Sequence, residues 1–184
     1  MDHYIDITLL PDPEFNETTL MNALFAKFHR ALVATGHGKI AVSFPRPRKH
    51  LGDCLRLHGE QTMLQQLMVT PWLKGLSDYT SVSEISPVPA NCEHRTIKRV
   101  QVKSNAERLR RRSIKKGWLT PEQAEERITI DKEQTLKQSF IQVKSHSSGQ
   151  VFRLFIDQSN IEHSPRPGEF SAYGLSKGAT VPWF

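Results

Sequence analysis

The sequence has few cysteines and no long apolar run, and each shortage excludes a class of protein. Two cysteines among 184 residues, Cys54 and Cys92, cannot build a disulfide framework or a four-ligand metal site. No apolar run approaches the roughly 18 residues that a membrane span requires. The first residues carry no signal-peptide pattern, so we expect a reducing, cytoplasmic setting and no membrane partner.

Motifs for common metal and nucleotide chemistry are also missing. The sequence contains no HExxH, CxxC, DxD or Walker-type pattern, and its eight histidines are scattered. Metal-dependent nucleases use clustered carboxylates, and no such cluster is visible in the sequence. We therefore expect neither a metal ion nor an organic cofactor.

Basic residues, in contrast, are concentrated in one segment. Residues 95–116 contain ten basic side chains and one acidic one, whereas the rest of the chain has 15 basic and 18 acidic residues. The net charge of +6 thus conceals a strip of +9 on a body of −3. Such a strip requires solvation or a polyanion, and nucleic acid is the first candidate. An exposed, solvated helical face is the alternative interpretation.

Hydrophobic periodicity predicts an α+β protein with domains at 1–92 and 93–184. In the first domain the pattern predicts the order βαββαβ, which is typical of ferredoxin-like or RRM-like folds. The predicted strands lie at 3–10, 39–44, 51–58 and 79–87, and the predicted helices lie at 17–35 and 60–77. A break of the second helix near Pro71 is the alternative. The hydrophobic fraction of 38 % is sufficient for a core.

The second domain is predicted to be an α/β arrangement that carries an arginine-rich helix at about 105–116. Ser104 and Glu107 have the spacing of a capping box at the start of this helix, and Gly117 is its predicted C-cap. The other predicted elements are a helix that begins at Thr120-Pro121-Glu122 and strands at 96–102, 140–145 and 151–156.

Most cations of the arginine-rich helix fall along one flank at 100° per residue, which suits phosphates on both sides of a groove. These cations are Arg108, Arg111, Arg112, Lys115 and Lys116. Arg110 points away from them. Arg99 and Gln101 precede the helix at strand spacing and share a face, and these residue types pair with the edges of guanine and adenine. A solvated strand edge is the alternative for that pair.

If the chain cleaves a polynucleotide without a metal, RNA is the substrate that chemistry favours. RNA supplies its own nucleophile, the 2′-hydroxyl, so the protein needs a base, an orienting group and in-line geometry. His29, at the edge of the apolar stripe of the first helix, is the candidate base. The alternative is an ordinary half-buried helix histidine.

Three further segments carry candidate RNA contacts. Phe152 and Phe155 lie on opposite faces of a predicted strand, so one can pack in the core while the other stacks on a base. Residues 173–178 form a glycine loop that can admit a phosphate, or a simple turn. A hydroxyl-rich stretch, which is also typical of turns, comprises Ser145, Ser147 and Ser148.

The chain resembles, over nearly its whole length, the CRISPR repeat-RNA-processing endoribonucleases of subtype I-F, and six segments spread from its start to its end carry the resemblance. They are MDHYIDITLLPDPEF, LFAKFHRALV, IAVSFP, RVQVKSNAERLRRR, SSGQVFRLFI and YGLSKGATVPWF. The resemblance implies a ferredoxin-like N-terminal domain and a second domain with an arginine-rich helix. It also implies an enzyme that cleaves a repeat-RNA hairpin at its 3′ base without metal. That enzyme stays bound to the product beside other Cas subunits in a surveillance complex.

The resemblance assigns catalytic roles to three residues. His29 matches the catalytic histidine, Ser145 the serine that places the 2′-hydroxyl, and Tyr173 the tyrosine beside the histidine. Two alternatives stay open on the sequence. A non-catalytic RNA-hairpin-binding subunit would share the fold and the basic helix but would not need His29. A DNA-binding structural or regulatory protein would prefer a DNA hairpin.

The resemblance also assigns residues to RNA binding. Arg99 and Gln101 match residues that read base pairs low in the stem, and Phe152 matches an aromatic that stacks at the stem base. The remaining RNA-binding residues are Ser147 and the helix cations Arg108, Arg111, Arg112, Lys115 and Lys116. The last two are lysines where the family can have arginines, so we expect phosphate contacts rather than bidentate base contacts from them.

Overall fold

Helices and antiparallel sheets share the chain, which confirms the predicted mixed class. The computed structural model describes residues 1–35, 38–101, 106–128, 137–144, 149–158 and 161–184. The strands are β1 (His3–Leu9), β2 (Ala41–Ser43), β3 (Cys54–Gly59), β4 (Thr80–Val82), β5 (Ser86–Pro87), β6 (Glu93–Arg95), β7 (Ile97–Val100), β8 (Phe140–Lys144), β9 (Val151–Gln158) and β10 (Val181–Trp183). The helices are α1 (Glu17–Thr35), α2 (Gln61–Val69), α3 (Ala106–Lys115) and α4 (Pro121–Arg127), with a 3-10 helix at Ser77–Tyr79. None of these helices is long and apolar enough to cross a membrane.

The first sheet has the strand order β2-β3-β1-β4, and β5 also pairs with β1. All of these neighbours are antiparallel. The register places Ile5 opposite Leu57 and Ile7 opposite Leu55, and all four side chains are buried. Helix α1 connects β1 to β2, and α2 lies between β3 and β4, as the sequence predicts.

Helix α1 spans the predicted residues 17–35 because its start and its apolar stripe are both well defined. Asn16 caps the start, since its Oδ1 accepts the backbone N–H of Thr19 at 2.8 Å. The buried stripe recurs at spacings of three and four residues and comprises Leu20, Met21, Leu24, Phe25, Phe28, Ala31 and Leu32. His29 follows Phe28 and lies half-buried at the edge of this stripe.

The predicted helix at 60–77 is too long. Helix α2 ends at Val69, and Thr70 adopts an extended conformation with ψ of 139°. The reason is Pro71, because a proline disfavours helical geometry in the residue before it. The strand predicted at 79–87 is likewise divided into the shorter strands β4 and β5.

Two further sheets come from the second half of the chain, and part of their side chains enters the main core. The strands pair in the orders β10-β6 and β7-β9-β8. Ile141 and Val143 on β8 pair with Leu154 and Phe152 on β9. These four residues contribute to the same apolar cluster as α1. The backbone N–H of Gln142 also donates to Oδ1 of Asn22 on α1 at 2.8 Å.

Contact density divides the chain into two compact units. One comprises Met1–Arg99 with Ser139–Phe184, and the other is Val100–Gln138. The second unit contains α3 and α4. The boundary between the predicted domains 1–92 and 93–184 does not coincide with the boundaries of these two units. The two predicted domains stay a prediction.

Helix α3 lies within the predicted range and ends at the predicted glycine. Gly117 has a φ of +69°, its N–H donates to the carbonyl of Ile114, and the N–H of Trp118 donates to that of Ser113, each at 2.9 Å. This pair of bonds is a Schellman motif. The predicted capping box at the start of α3 lies outside the described part, since neither Ser104 nor the side chain of Glu107 is described.

Helix α4 begins at the predicted Thr120-Pro121-Glu122 with a capping box, and it is joined to α3. Oγ1 of Thr120 accepts the N–H of Gln123 at 3.2 Å, and Oε1 of Gln123 accepts the N–H of Thr120 at 3.1 Å. Nε of Arg110 donates to the carbonyl of Ile128 at 2.9 Å. Arg110 therefore serves the packing of α3 on α4 and stands apart from the other cations of α3.

Arg56 joins β3 to the last residues of the chain, and its removal tests how much this contact stabilises the fold. The guanidinium donates to both carboxylate oxygens of Asp6 at 2.7 and 2.9 Å and to the carbonyl of Phe184 at 2.9 Å. We expect Arg56→Ala to lower the free energy of unfolding by about 3 kcal/mol, because it leaves a half-buried carboxylate unpaired. Urea denaturation measures this loss. Arg48→Ala is the control, since the Arg48 side chain is 68 % exposed and its ion pairs contribute less than about 1 kcal/mol.

A second prediction concerns His58, which is fully buried with its Nε2 2.7 Å from Oγ of Ser43. Burial, aided by the positive charge of Arg56, lowers the pKa of His58 from 6.5 to about 3. Between these two values the unfolded chain binds a proton that the folded protein excludes. The contribution of neutral His58 to the free energy of unfolding is therefore fully present above pH 6.5. It is lost as the pH is lowered, by at most about 1.4 kcal/mol per pH unit. Between about pH 6 and about pH 4, the free energy of unfolding should fall less steeply with decreasing pH in His58→Asn than in the wild type. The control His50→Asn, at an exposed residue, should keep the wild-type pH dependence. Equal slopes for all three proteins would refute the assignment.

Candidate active site and nucleic-acid interface

His29 and Tyr173 lie in contact although 143 residues separate His29 from Ala172, the neighbour of Tyr173. Their rings stack with centroids 4.0 Å apart and an angle of 16° between the planes. Tyr173 is also parallel to Phe25, one turn earlier on α1, at 6.3 Å and 4°. The structure thus brings together two of the three residues that the resemblance made catalytic.

The hydrogen bond of His29 defines which ring nitrogen is left for chemistry. Nδ1 lies 2.8 Å from the carbonyl oxygen of Ala172. A carbonyl oxygen only accepts, so Nδ1 must carry the proton and donate it. In the neutral imidazole Nε2 is then the basic nitrogen with a lone pair. The backbone of Ala172 therefore favours the tautomer of His29 in which Nε2 can accept a proton.

The turn at residues 171–175 is held by its own hydrogen bonds. Oγ of Ser171 accepts the N–H groups of Tyr173 and Leu175, each at 3.3 Å. The carbonyl of Ser171 accepts the N–H of Gly174 at 2.9 Å, and that of Leu175 accepts the N–H of Ser171 at 2.8 Å. These bonds define the positions of both the Ala172 carbonyl and the Tyr173 ring.

Gly174 anchors this turn against β2. Its carbonyl accepts the N–H of Val42 at 3.0 Å, and its φ is +69°. A Cβ at this position would lie 3.1 Å from Cγ1 of Val42 and 3.4 Å from a ring carbon of Phe28. Glycine is required here by both its backbone angle and the close packing. The sequence left two interpretations of residues 173–178, a phosphate-binding glycine loop and a simple turn. Gly174 fits the turn, because the atoms close to it belong to the protein.

Arg99 and Phe152 lie together on the sheet β7-β9-β8. The guanidinium of Arg99 stands over the ring of Phe152 at 5.8 Å. Phe152 shares a strand face with Leu154 and Ile156 and packs half-buried against the core. Phe155, on the other face, packs on Phe140 at 5.4 Å. Arg99 is exposed, so its side chain can reach a ligand beside a ring that is partly accessible.

The remaining predicted RNA-binding residues fall in two groups. Gln101 is exposed, as are the helix cations Arg108, Arg111, Arg112, Lys115 and Lys116. Ser145 and Ser147 lie outside the described residues. Within the described ranges, no three His, Cys, Asp or Glu side chains are grouped so that they could hold a metal ion.

Sequence reasoning missed the main-chain carbonyl of Ala172 and the hydroxyl of Ser171. A carbonyl has no side-chain signature, so no residue type at position 172 would have revealed it. Ser171 did carry a signal, because a serine two residues before a Tyr-Gly pair is typical of a side chain that caps a turn. Gly174 was identified within the glycine loop, although its close contacts are with protein rather than with phosphate.

Known proteins similar to this chain match it along its full length. The family model of the CRISPR-associated protein Cas_Csy4 matches residues 4–184. A protein of Escherichia coli (strain UTI89 / UPEC), named CRISPR-associated endonuclease Cas6/Csy4, is 53 % identical over 184 residues and covers 100 % of both chains. A protein of Pseudomonas aeruginosa (strain UCBPP-PA14) with the same name is 46 % identical over 187 residues, again with 100 % of each chain covered.

The tautomer of His29 can be measured directly. We expect the neutral side chain to be protonated at Nδ1, because the Ala172 carbonyl accepts from that nitrogen. Long-range ¹H–¹⁵N correlation spectra, with His29 assigned by its absence from His29→Ala, distinguish the two neutral tautomers. The exposed His50 serves as a control and should show the tautomer mixture of a solvated imidazole. A His29 spectrum of the Nε2–H form would contradict the geometry.

Proposed function

Because the chain belongs to the Cas_Csy4 family of CRISPR-associated proteins, we propose that it is an endoribonuclease that processes precursor CRISPR RNA. Two full-length relatives carry the name endonuclease. The single observation that best supports this function is His29, held by the Ala172 carbonyl with Nε2 left as its basic nitrogen. A purely RNA-binding subunit has no need of an imidazole oriented in this way.

In the proposed reaction the RNA attacks itself. Nε2 of His29 takes the proton of the 2′-hydroxyl upstream of the cleavage site, and the 2′-oxygen forms a bond to the phosphorus. The bond from phosphorus to the 5′-oxygen breaks, and that oxygen takes up a proton from water as it leaves, while the protonated His29 returns its proton to water. The products are a 2′,3′-cyclic phosphate and a 5′-hydroxyl. General base catalysis of this kind contributes about 10²–10⁴ in rate.

Two other residues complete the proposed catalytic group. Tyr173 stacks on His29 at 4.0 Å and limits the directions that the imidazole can take. Ser145 is proposed, by the resemblance, to place the 2′-hydroxyl. These groups need no Lewis acid to form the nucleophile, so we propose that cleavage is independent of metal ions.

Specificity for a hairpin is proposed to come from the exposed cations and from Arg99 and Gln101. The cations of α3 carry charge along one flank, which suits the phosphates of a stem. A long A-form helix has a major groove too narrow for side chains to read, so base contacts require an open stem end. Arg99 and Gln101 are therefore proposed to act at the base of the stem. Ser147 and Phe152 are proposed to contact the RNA there.

The proposed setting extends to fold and complex. The sheet order β2-β3-β1-β4 with two connecting helices supports a ferredoxin-like assignment of residues 1–92. Residues 93–184 would form the RNA-binding domain. After cleavage the hairpin is proposed to stay bound through the same phosphate contacts. The protein would then become a subunit of the guide-RNA surveillance complex beside other Cas proteins.

The decisive experiment incubates the purified protein with a repeat RNA that contains its hairpin. We expect one cut at the 3′ base of the stem, with and without EDTA, and a cyclic phosphate with a 5′-hydroxyl on end-group analysis. His29→Ala should lower the cleavage rate by at least about 100-fold while the dissociation constant for the hairpin changes little.

Several controls separate the competing functions. His50→Ala, at an exposed histidine outside the site, should cleave as the wild type does. A 2′-deoxy nucleotide upstream of the cut should abolish cleavage but not binding, and a DNA hairpin of the same sequence should not be cut. Full activity of His29→Ala would reject the mechanism, loss of activity in EDTA would reject metal independence, and binding without cleavage would favour the non-catalytic subunit.

A further inference from the structure

Trp118 differs in exposure from the other tryptophans of the chain. Its side chain is 64 % exposed, whereas Trp72 is buried and Trp183 is half-buried beneath the guanidinium of Arg95 at 4.2 Å. No aromatic or cationic partner of the Trp118 indole is found among the described residues. An indole is a large, flat aromatic side chain, and an exposed one offers its ring face to a ligand.

The backbone at Trp118 is held by the end of α3. Its N–H donates to the carbonyl of Ser113, as the sixth residue of the Schellman motif. In such motifs this residue often packs on an apolar side chain one turn back. Here the corresponding positions hold Ser113 and Arg112, which offer no apolar partner. The fold thus positions the main chain of Trp118 and leaves the indole in water.

The charges around Trp118 favour an anionic ligand. The last two turns of α3 carry the exposed cations Arg111, Arg112 and Lys115, and the exposed Lys116 directly follows the helix. An aromatic face beside several cations is the arrangement by which proteins bind single-stranded nucleic acid, with the base on the ring and phosphates on the cations. Helix α4 begins three residues later at Pro121 and carries Glu122 in its first turn, so its acidic side chains would direct a phosphate chain toward α3.

We propose that Trp118 stacks on an unpaired nucleobase of the RNA that α3 binds. This inference rests on the proposed RNA-binding function and adds a residue that the sequence resemblance did not assign. The base must be unpaired because a paired base inside a stem already stacks on both faces. It can belong to the loop of the hairpin or to the strand that flanks the stem, and both offer the same aromatic face.

Affinity and fluorescence together test the stacking. The ligand is a repeat hairpin with a 2′-deoxy nucleotide at the cleavage site, so that binding is measured without cleavage. We expect Trp118→Ala to bind about tenfold more weakly, within the range found for loss of one base–aromatic stack. Trp118→Phe should keep affinity within about threefold, because a phenyl ring also stacks. Tryptophan emission should be quenched on binding to the wild type, and most of this quenching should be lost in Trp118→Phe.

Abasic substitutions then locate the base. One hairpin has abasic nucleotides in the loop, and another has them in the flank. For one of these ligands, the affinity of the wild type should fall to the affinity that Trp118→Ala has for the intact hairpin. The affinity of Trp118→Ala should be the same for that ligand as for the intact hairpin. Val69→Ala is the matched control, since Val69 is 85 % exposed and lies outside α3. It should bind every ligand as the wild type does.

The outcomes separate this inference from the proposed function. Equal affinity of the wild type and Trp118→Ala for the intact hairpin would overturn the stacking and indicate a surface for a protein partner instead. The stacking would also be overturned if Trp118→Ala bound both abasic hairpins more weakly than the wild type does, by the same factor as for the intact hairpin. Failure of the wild type to cut an all-ribose hairpin would overturn only the catalytic proposal.

Discussion

The hydrogen bond between His29 and the carbonyl of Ala172 is the interaction on which the candidate active site depends. It joins the first helix to a turn near the end of the chain, so neither segment alone forms the site. The turn can reach α1 only because Gly174 packs closely on Val42 and accepts a hydrogen bond from it. The orientation of one imidazole therefore depends on the contact between the turn and β2, and a Cβ at position 174 would disturb that contact.

The charge distribution keeps the proposed chemistry apart from the proposed binding. Residues 95–116 carry ten basic side chains and one acidic one, whereas His29 belongs to a helix that presents an apolar stripe to the core. A phosphate-binding strip gains affinity for any polyanion through counterion release. The acidic remainder of the chain opposes such general binding. Selection of one RNA then requires shape and base contacts in addition to charge, and Arg99 lies close enough to Phe152 for the two to act together.

Local signals in the sequence predicted most helices and strands. They could not predict which face of a strand is buried or which distant residues meet, because both depend on long-range packing. The spacing of Leu24, Phe25 and Phe28 was sufficient for α1, and Gly117 was sufficient for the end of α3. The alternation of residues on β9 placed Phe152 and Phe155 on opposite faces but did not say which face is the core. The packing of Ile141 and Leu154 against α1 decided that question. The contact between His29 and Tyr173 came from the family resemblance, since no local pattern joins residues so far apart.

Tight binding and fast cleavage are separate demands on such a protein. In the proposed function, contacts that α3 would make equally with substrate and product raise affinity for both and do not lower the chemical barrier, since only interactions stronger in the transition state do so. Nε2 of His29 would act on the proton of the attacking hydroxyl, where charge develops in the transition state. A basic strip and a single histidine are therefore not alternative explanations of function. Under the proposed function, the basic strip would hold the RNA before and after the cut, and His29 would act only in the cleavage step.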